Sequence, residues 1–195
     1  MKNRTVRLVS AIALVAMASL AIPTTQAATN TGTGDIAGIP GDLTPSNTVT
    51  LTSATLALIK RAFLADGTAL PNNASMPKGT LVKFMIYINN NTNVGANDVS
   101  VQDALVGFAY QAGTIKTSNT FNNCAAAICL PAEEALIYAA VNAGTAKTDG
   151  TPDDEASYTA GTTTIDLGDQ IVTTNTQLDI AAGKVWAAIF TVKMQ

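Results

Sequence analysis

Residues 79–105 read GTLVKFMIYINNNTNVGANDVSVQDAL, and the alternation in this stretch leaves little choice of fold. Val82, Phe84, Ile86 and Ile88 occupy one phase, and Lys83, Met85 and Tyr87 the other. Successive side chains of a strand point to opposite faces, so the pattern predicts a strand with one apolar and one mixed face, in a sheet packed on one side. The Asn-rich run 89–93 with Gly95 supplies residues that tolerate left-handed backbone, which predicts a turn. Val99, Val101 and Asp103 then share one face of a second strand. Nothing in this stretch points to catalysis.

The rest of the chain uses the same idiom. Asn47-Thr48-Val49-Thr50-Leu51-Thr52 alternates strictly and predicts a short strand, and residues 54–63 read as a strand or a short helix, with the strand favoured. Asp66-Gly67 and Leu70-Pro71-Asn72-Asn73 are loop signals. Further strands are expected at 108–115, 136–141, 162–167, 170–173 and 184–194, with polar loops at 117–123 and 144–157 and a turn at 178–183. In the last strand Trp186, Ala188, Phe190 and Val192 share a face. Short strands without an amphipathic helix predict an all-β protein, an antiparallel β-sandwich present in one copy.

The first residues suggest a destination. Lys2, Arg4 and Arg7 precede an apolar run over 8–22, Pro23 interrupts it, and Thr25-Gln26-Ala27 offers a small-residue cleavage site. That order predicts a secretory signal peptide over 1–27. Removing it takes three of the 11 basic residues and leaves eight against 14 acidic ones, a net charge of −6. An acidic chain without a basic stripe is a poor ligand for nucleic acid. No further apolar run reaches spanning length, so no membrane span is expected after processing. With 47% apolar and 13% charged residues, the chain has the composition of one that folds. The expected location is extracellular or at the cell surface.

Three separated segments resemble one family. Residues 78–90 carry a Gly followed by an alternating strand and an Asn turn. Asp98-Val99-Ser100-Val101-Gln102-Asp103-Ala104-Leu105 comes next, and Leu178-Asp179-Ile180-Ala181-Ala182-Gly183 with Ile189-Phe190-Thr191-Val192-Lys193 closes the chain. In this order they resemble the repeat domain of bacterial and archaeal surface proteins catalogued as domain of unknown function eleven. The resemblance covers residues 54–195 and implies an immunoglobulin-like sandwich in extracellular proteins. It brings no catalytic residues. The chain departs from the family in having one copy rather than a tandem array, and in an insertion at about 117–161.

The chemistry-bearing residues are few. The chain has no His, which excludes Ser-His-Asp and Cys-His catalysis and His-containing zinc sites. Cys124 and Cys129 are the only thiols, and in an exported chain they predict a disulfide closing a small loop. Asp149, Asp153, Asp154 and Glu155 offer hard oxygen ligands but lack EF-hand spacing, so a solvated loop is expected ahead of a calcium site. Lys60 reads as a paired or solvated lysine, with an intramolecular amide to Asp103 as the rarer alternative. No enzyme activity, cofactor or metal is expected.

Residues 28–53 form the most suggestive segment. Their Gly, Thr, Pro and Asn content predicts an extended N-terminal arm, at most about 80 Å long over 28–52. The arm ends in the alternating strand Thr48, Val49, Thr50, Leu51 and Thr52, a candidate donor to a sheet edge of a neighbour. Head-to-tail donation does not close on itself and builds filaments. The expectation is therefore an extracellular structural protein, a self-assembling subunit of a filament, pilus-like fibre or coat, whose partners are copies of itself or other surface proteins. The alternative is a monomeric secreted binding module for glycan or calcium.

Overall fold

The computed structural model describes residues 26–32, 47–53, 56–169 and 174–195; for the first two stretches it describes the backbone alone. Contacts divide the chain into two units, Met1–Ser53 and Ala54–Gln195. In the first, β1 (Gln26–Gly32) pairs antiparallel with β2 (Asn47–Ser53) as a two-stranded ribbon. Residues 1–25 of the expected signal peptide, 33–46 of the expected arm and the expected strand at 170–173 lie outside the described residues.

The second unit is built on one large antiparallel sheet. Its strands are β3 (Ala57–Leu64), β4 (Ala69–Leu70), β5 (Leu81–Asn90), β8 (Phe108–Tyr110), β9 (Lys116–Asn122) and β13 (Lys184–Met194). The order is β4-β3-β5-β13-β8, and β9 also pairs with β13. A second layer holds two smaller sheets. β6 (Ala96–Val99) pairs with β12 (Leu178–Ile180), while β7 (Val101–Ala104) lies beside β11 (Thr164–Leu167) and β10 (Ala156–Thr159) beyond it. Between them the two layers enclose Ile86, Ile88, Trp186 and Phe190 from the large sheet, with Val101, Ile165, Leu167 and Ile180 opposite. This is the expected antiparallel sandwich, with one helix added.

That helix is α1 (Pro131–Ala143), and it corrects two expectations. Residues 136–141 are helical, not extended. Pro131 sits in the first turn, where its missing N–H costs nothing, and Glu133 and Glu134 favour the positive helix end. Glu134, Ile137, Tyr138 and Val141 face inward at helical spacing. They cover the second face of the large sheet, where Met85, Tyr87, Val185 and Ile189 are fully or almost fully buried with Ile59 and Phe63. The sheet is therefore packed on both sides, and the mixed phase of β5 is core as well.

Three further segments differ from expectation. The strand expected at 108–115 ends at Tyr110, with a turn at Ala112 and Gly113. Residues 116–122 are a strand, β9, whose polar sequence suits a solvated flank and whose pairing with β13 shifts register between Val185 and Ala187. Residues 178–180 are also a strand, β12, with the turn confined to Ala182 and Gly183. Gly168 marks where β11 leaves the second layer at φ +78°. A Cβ there would stand 2.1 Å from the Val99 carbonyl oxygen, so only Gly fits. Among the described residues, no helix is long and apolar enough to cross a membrane.

The helix assignment has a direct test. Ile137→Ala should cost about 2–5 kcal/mol, the usual range for emptying a buried aliphatic site. Leu136→Ala, at a position 69% exposed, should stay within about 0.5 kcal/mol of wild type. Urea unfolding followed by the emission of Trp186, the chain's one tryptophan, measures both.

Candidate functional site

The flank of the large sheet at β3 is only partly covered. β4 pairs with Ala62 and Phe63, and Leu64 donates its N–H to the Thr68 carbonyl at 2.8 Å. The even-numbered residues of β3 thus direct their N–H and C=O groups away from β5. Above β4, Leu58 and Lys60 keep that direction, and among the described residues no backbone group pairs with them there. Leu58 is 57% exposed.

Lys60 crosses this opening. Its Nζ donates to both carboxylate oxygens of Asp103 on β7, at 2.8 and 2.6 Å, and lies 4.1 Å from the Phe84 ring centroid. The arrangement is that of an ion pair with a cation–π contact. With the lysine side chain 40% exposed, the pair contributes at most about 1 kcal/mol. Next to Phe84 a cavity of about 230 Å³ is lined by Ala62, Leu70, Met76, Phe108 and Met194.

The candidate donor strand, Thr48 to Thr52, lies within β2. It pairs with β1 of its own chain in the register Thr48↔Thr31, Val49↔Asn30, Thr50↔Thr29, Leu51↔Ala28 and Thr52↔Ala27. The described ends of the expected arm, residues 28–32 and 47–53, are thus strand paired with strand. β1 begins at Gln26, inside the expected signal-peptide span. Among the described residues, the second edge of β2 meets no strand.

Cys124 and Cys129 form the expected disulfide. Both sulfurs lie in the core beneath α1, while Ala125, Ala126, Ala127 and Ile128 between them are exposed. Polar side chains fix this loop from below. Asn89 donates to the Ala126 carbonyl at 2.8 Å and accepts from the Cys124 N–H at 3.2 Å. Glu133 accepts from the N–H groups of Leu130 at 2.7 Å and Ala125 at 3.2 Å. Tyr87 accepts from the Cys129 N–H at 3.1 Å and donates to Glu134 at 2.7 Å; Arg61 reaches the same carboxylate oxygen at 2.8 Å. Burial, then the bond to Glu134, pushes the Tyr87 hydroxyl well above its ordinary pKa. Cys124, Cys129 and Glu133 are the one cluster of three metal-capable side chains among the described residues, and its sulfurs are bonded to each other.

The acidic loop is tied down by its own carboxylates. Asp149 accepts from the Tyr110 hydroxyl and from the Gly113 N–H at 2.8 Å. Asp153 accepts from the Thr148 hydroxyl at 2.7 Å, and Asp154 from the N–H groups of Thr148 at 3.1 Å and Ala156 at 2.9 Å. Glu155 accepts from the Thr117 hydroxyl and pairs with Lys147 at 2.9 Å. Burial pushes the Glu155 carboxyl up, but the Thr117 and Lys147 bonds outweigh it and hold it below its ordinary value. All four carboxylates thus serve the protein's own donors.

No family model, curated protein or solved structure matches this chain.

Two measurements probe these networks. A carboxyl depressed on folding adds stability above its unfolded pKa, about 4.3 for Glu, and that stability is lost as pH falls through the folded value. Wild type should therefore exceed Glu155→Gln at pH 6, with the gap closing towards pH 3 in urea titrations. Replacing both cysteines by serine should lower stability by about 2 kcal/mol, as expected for so short a loop.

Proposed function

We propose that this chain is a secreted, non-catalytic structural protein whose copies assemble into an extracellular filament, pilus-like fibre or coat. We place its sandwich among immunoglobulin-like domains of the surface-protein repeat type, on the strength of the three segments at 78–90, 98–105 and 178–193. One observation carries the assembly reading: an alternating strand in a separate N-terminal ribbon, in a chain whose large sheet keeps an open flank at β3. A two-stranded ribbon is marginal in water by itself and gains stability by joining a larger sheet. An open flank gains by accepting a strand.

The cavity beside Phe84 and Phe108 favours a second reading, a monomeric binding module. It is small and mainly apolar, better suited to a hydrophobic side chain than to a glycan.

Electron microscopy of the purified protein should show ordered fibres or sheets, and deleting residues 28–53 should abolish them while leaving the Trp186 emission of the folded sandwich unchanged. Uniform monomers at high concentration would overturn the assembly reading, and an unaltered polymer after the deletion would remove the N-terminal segment from it.

A further inference from the structure

We propose that the acceptor for the N-terminal ribbon is the outer edge of β3 at Leu58 and Lys60 in a second copy of this chain. The inference rests on the assembly reading and adds the site to it.

Three observations converge on this edge. The N–H and C=O groups of Leu58 and Lys60 point outward, a hydrogen-bonding row that no described backbone group fills, since β4 stops after two residues. Leu58 is 57% exposed on the face of β3 where neighbouring Leu56 and Ala62 pack into the inter-sheet core, so an apolar position at the border of that core stands uncovered. Exposed edges are commonly protected by a charge, and here both cations of the strand are engaged elsewhere, Lys60 with Asp103 and Phe84 and Arg61 with Glu134.

The occupant is argued from the chain's own sequence. β1 and β2 each have a second edge that meets no described strand, and of the two it is β2, NTVTLTS, that alternates apolar with hydroxyl residues, as suits an edge with one face against a core and one in water. Adding β2 of one copy to β3 of the next extends the six-stranded sheet by the two strands of the ribbon. The ribbon acquires the sheet it needs, and the open row acquires its hydrogen bonds. Donor and acceptor are different surfaces, so each copy can do both and the contact propagates.

The experiment pairs two full-length variants. Val49→Asp with Leu51→Asp spoils the donor. Leu58→Pro removes an outward N–H without touching the bonds from β3 to β5, and Leu58→Lys serves as a second acceptor variant should the proline disturb folding, as reported by Trp186 emission. Size-exclusion chromatography with light scattering should find each variant monomeric, with association at least about tenfold weaker than wild type. Mixing donor and acceptor variants should restore one junction and give a 1:1 dimer that grows no further. Polymers from both Leu58 variants, with none from the donor variant, would overturn the β3 site while leaving strand donation standing. Polymers from the donor variant, or a wild type that never assembles, would overturn strand donation and the β3 site with it. A mixture that stays monomeric would also overturn the site.

Discussion

The fold depends on the ladder between β5 and β13. Ten consecutive pairs join them, from Leu81↔Lys193 to Asn90↔Lys184, and both faces of that ladder are buried. On one face Ile86, Ile88, Trp186 and Phe190 meet the second layer; on the other Met85, Tyr87, Val185 and Ile189 meet α1 and the disulfide loop. A slip of one residue would exchange the two sets and bring the large side chains of one core into a space shaped for the other. Two-sided burial thus fixes the register far more firmly than one-sided packing could. Lys184 and Lys193 lie at the ends of the ladder, and Lys83, inside it, reaches past the core to the Asn142 side-chain oxygen at 2.9 Å.

Much of this was legible in the sequence, and the parts that were not share a common cause. The alternation in 82–88 and 185–192 revealed both central strands and assigned Trp186, Ala188, Phe190 and Val192 to one face. It did not reveal the second core. A phase containing Lys83 and Tyr87 reads as a wet face unless something is known to cover it. The cover comes from 117–161, the span that the family resemblance sets apart as an insertion, so β9, α1 and the disulfide loop are integral layers of this sandwich. The helix itself was visible in principle. Glu134, Ile137, Tyr138 and Val141 keep helical spacing behind Pro131, but the alanines between them weaken the contrast on which a periodicity argument relies.

For the candidate site the division runs differently. The alternation of β2 and the pairing of Cys124 with Cys129 are local properties, so sequence suffices to see them. The open flank of β3 is not local. It depends on β4 stopping after two residues and on Lys60 turning towards Asp103, 43 positions away, and neither has a signature in the strand itself. The acidic loop shows the converse. As a string it reads as a solvated loop, whereas its carboxylates bond to the backbone and hydroxyl groups around them.

The position of β13 along the chain has a kinetic consequence. This strand lies between β5 on one side and β8 with β9 on the other, yet it comprises residues 184–194. β8 and β9 must wait for it, and β5 gains its second neighbour only then. In the second unit the β3–β4 and β10–β11 hairpins and the β3–β5 pair can close from local contacts, and none of them holds a finished core. A nascent or threaded chain therefore stays pliable until residue 194 becomes available, and then both cores form around one late arrival. Long loop closures of this kind place the molecule among slow, all-or-none folders.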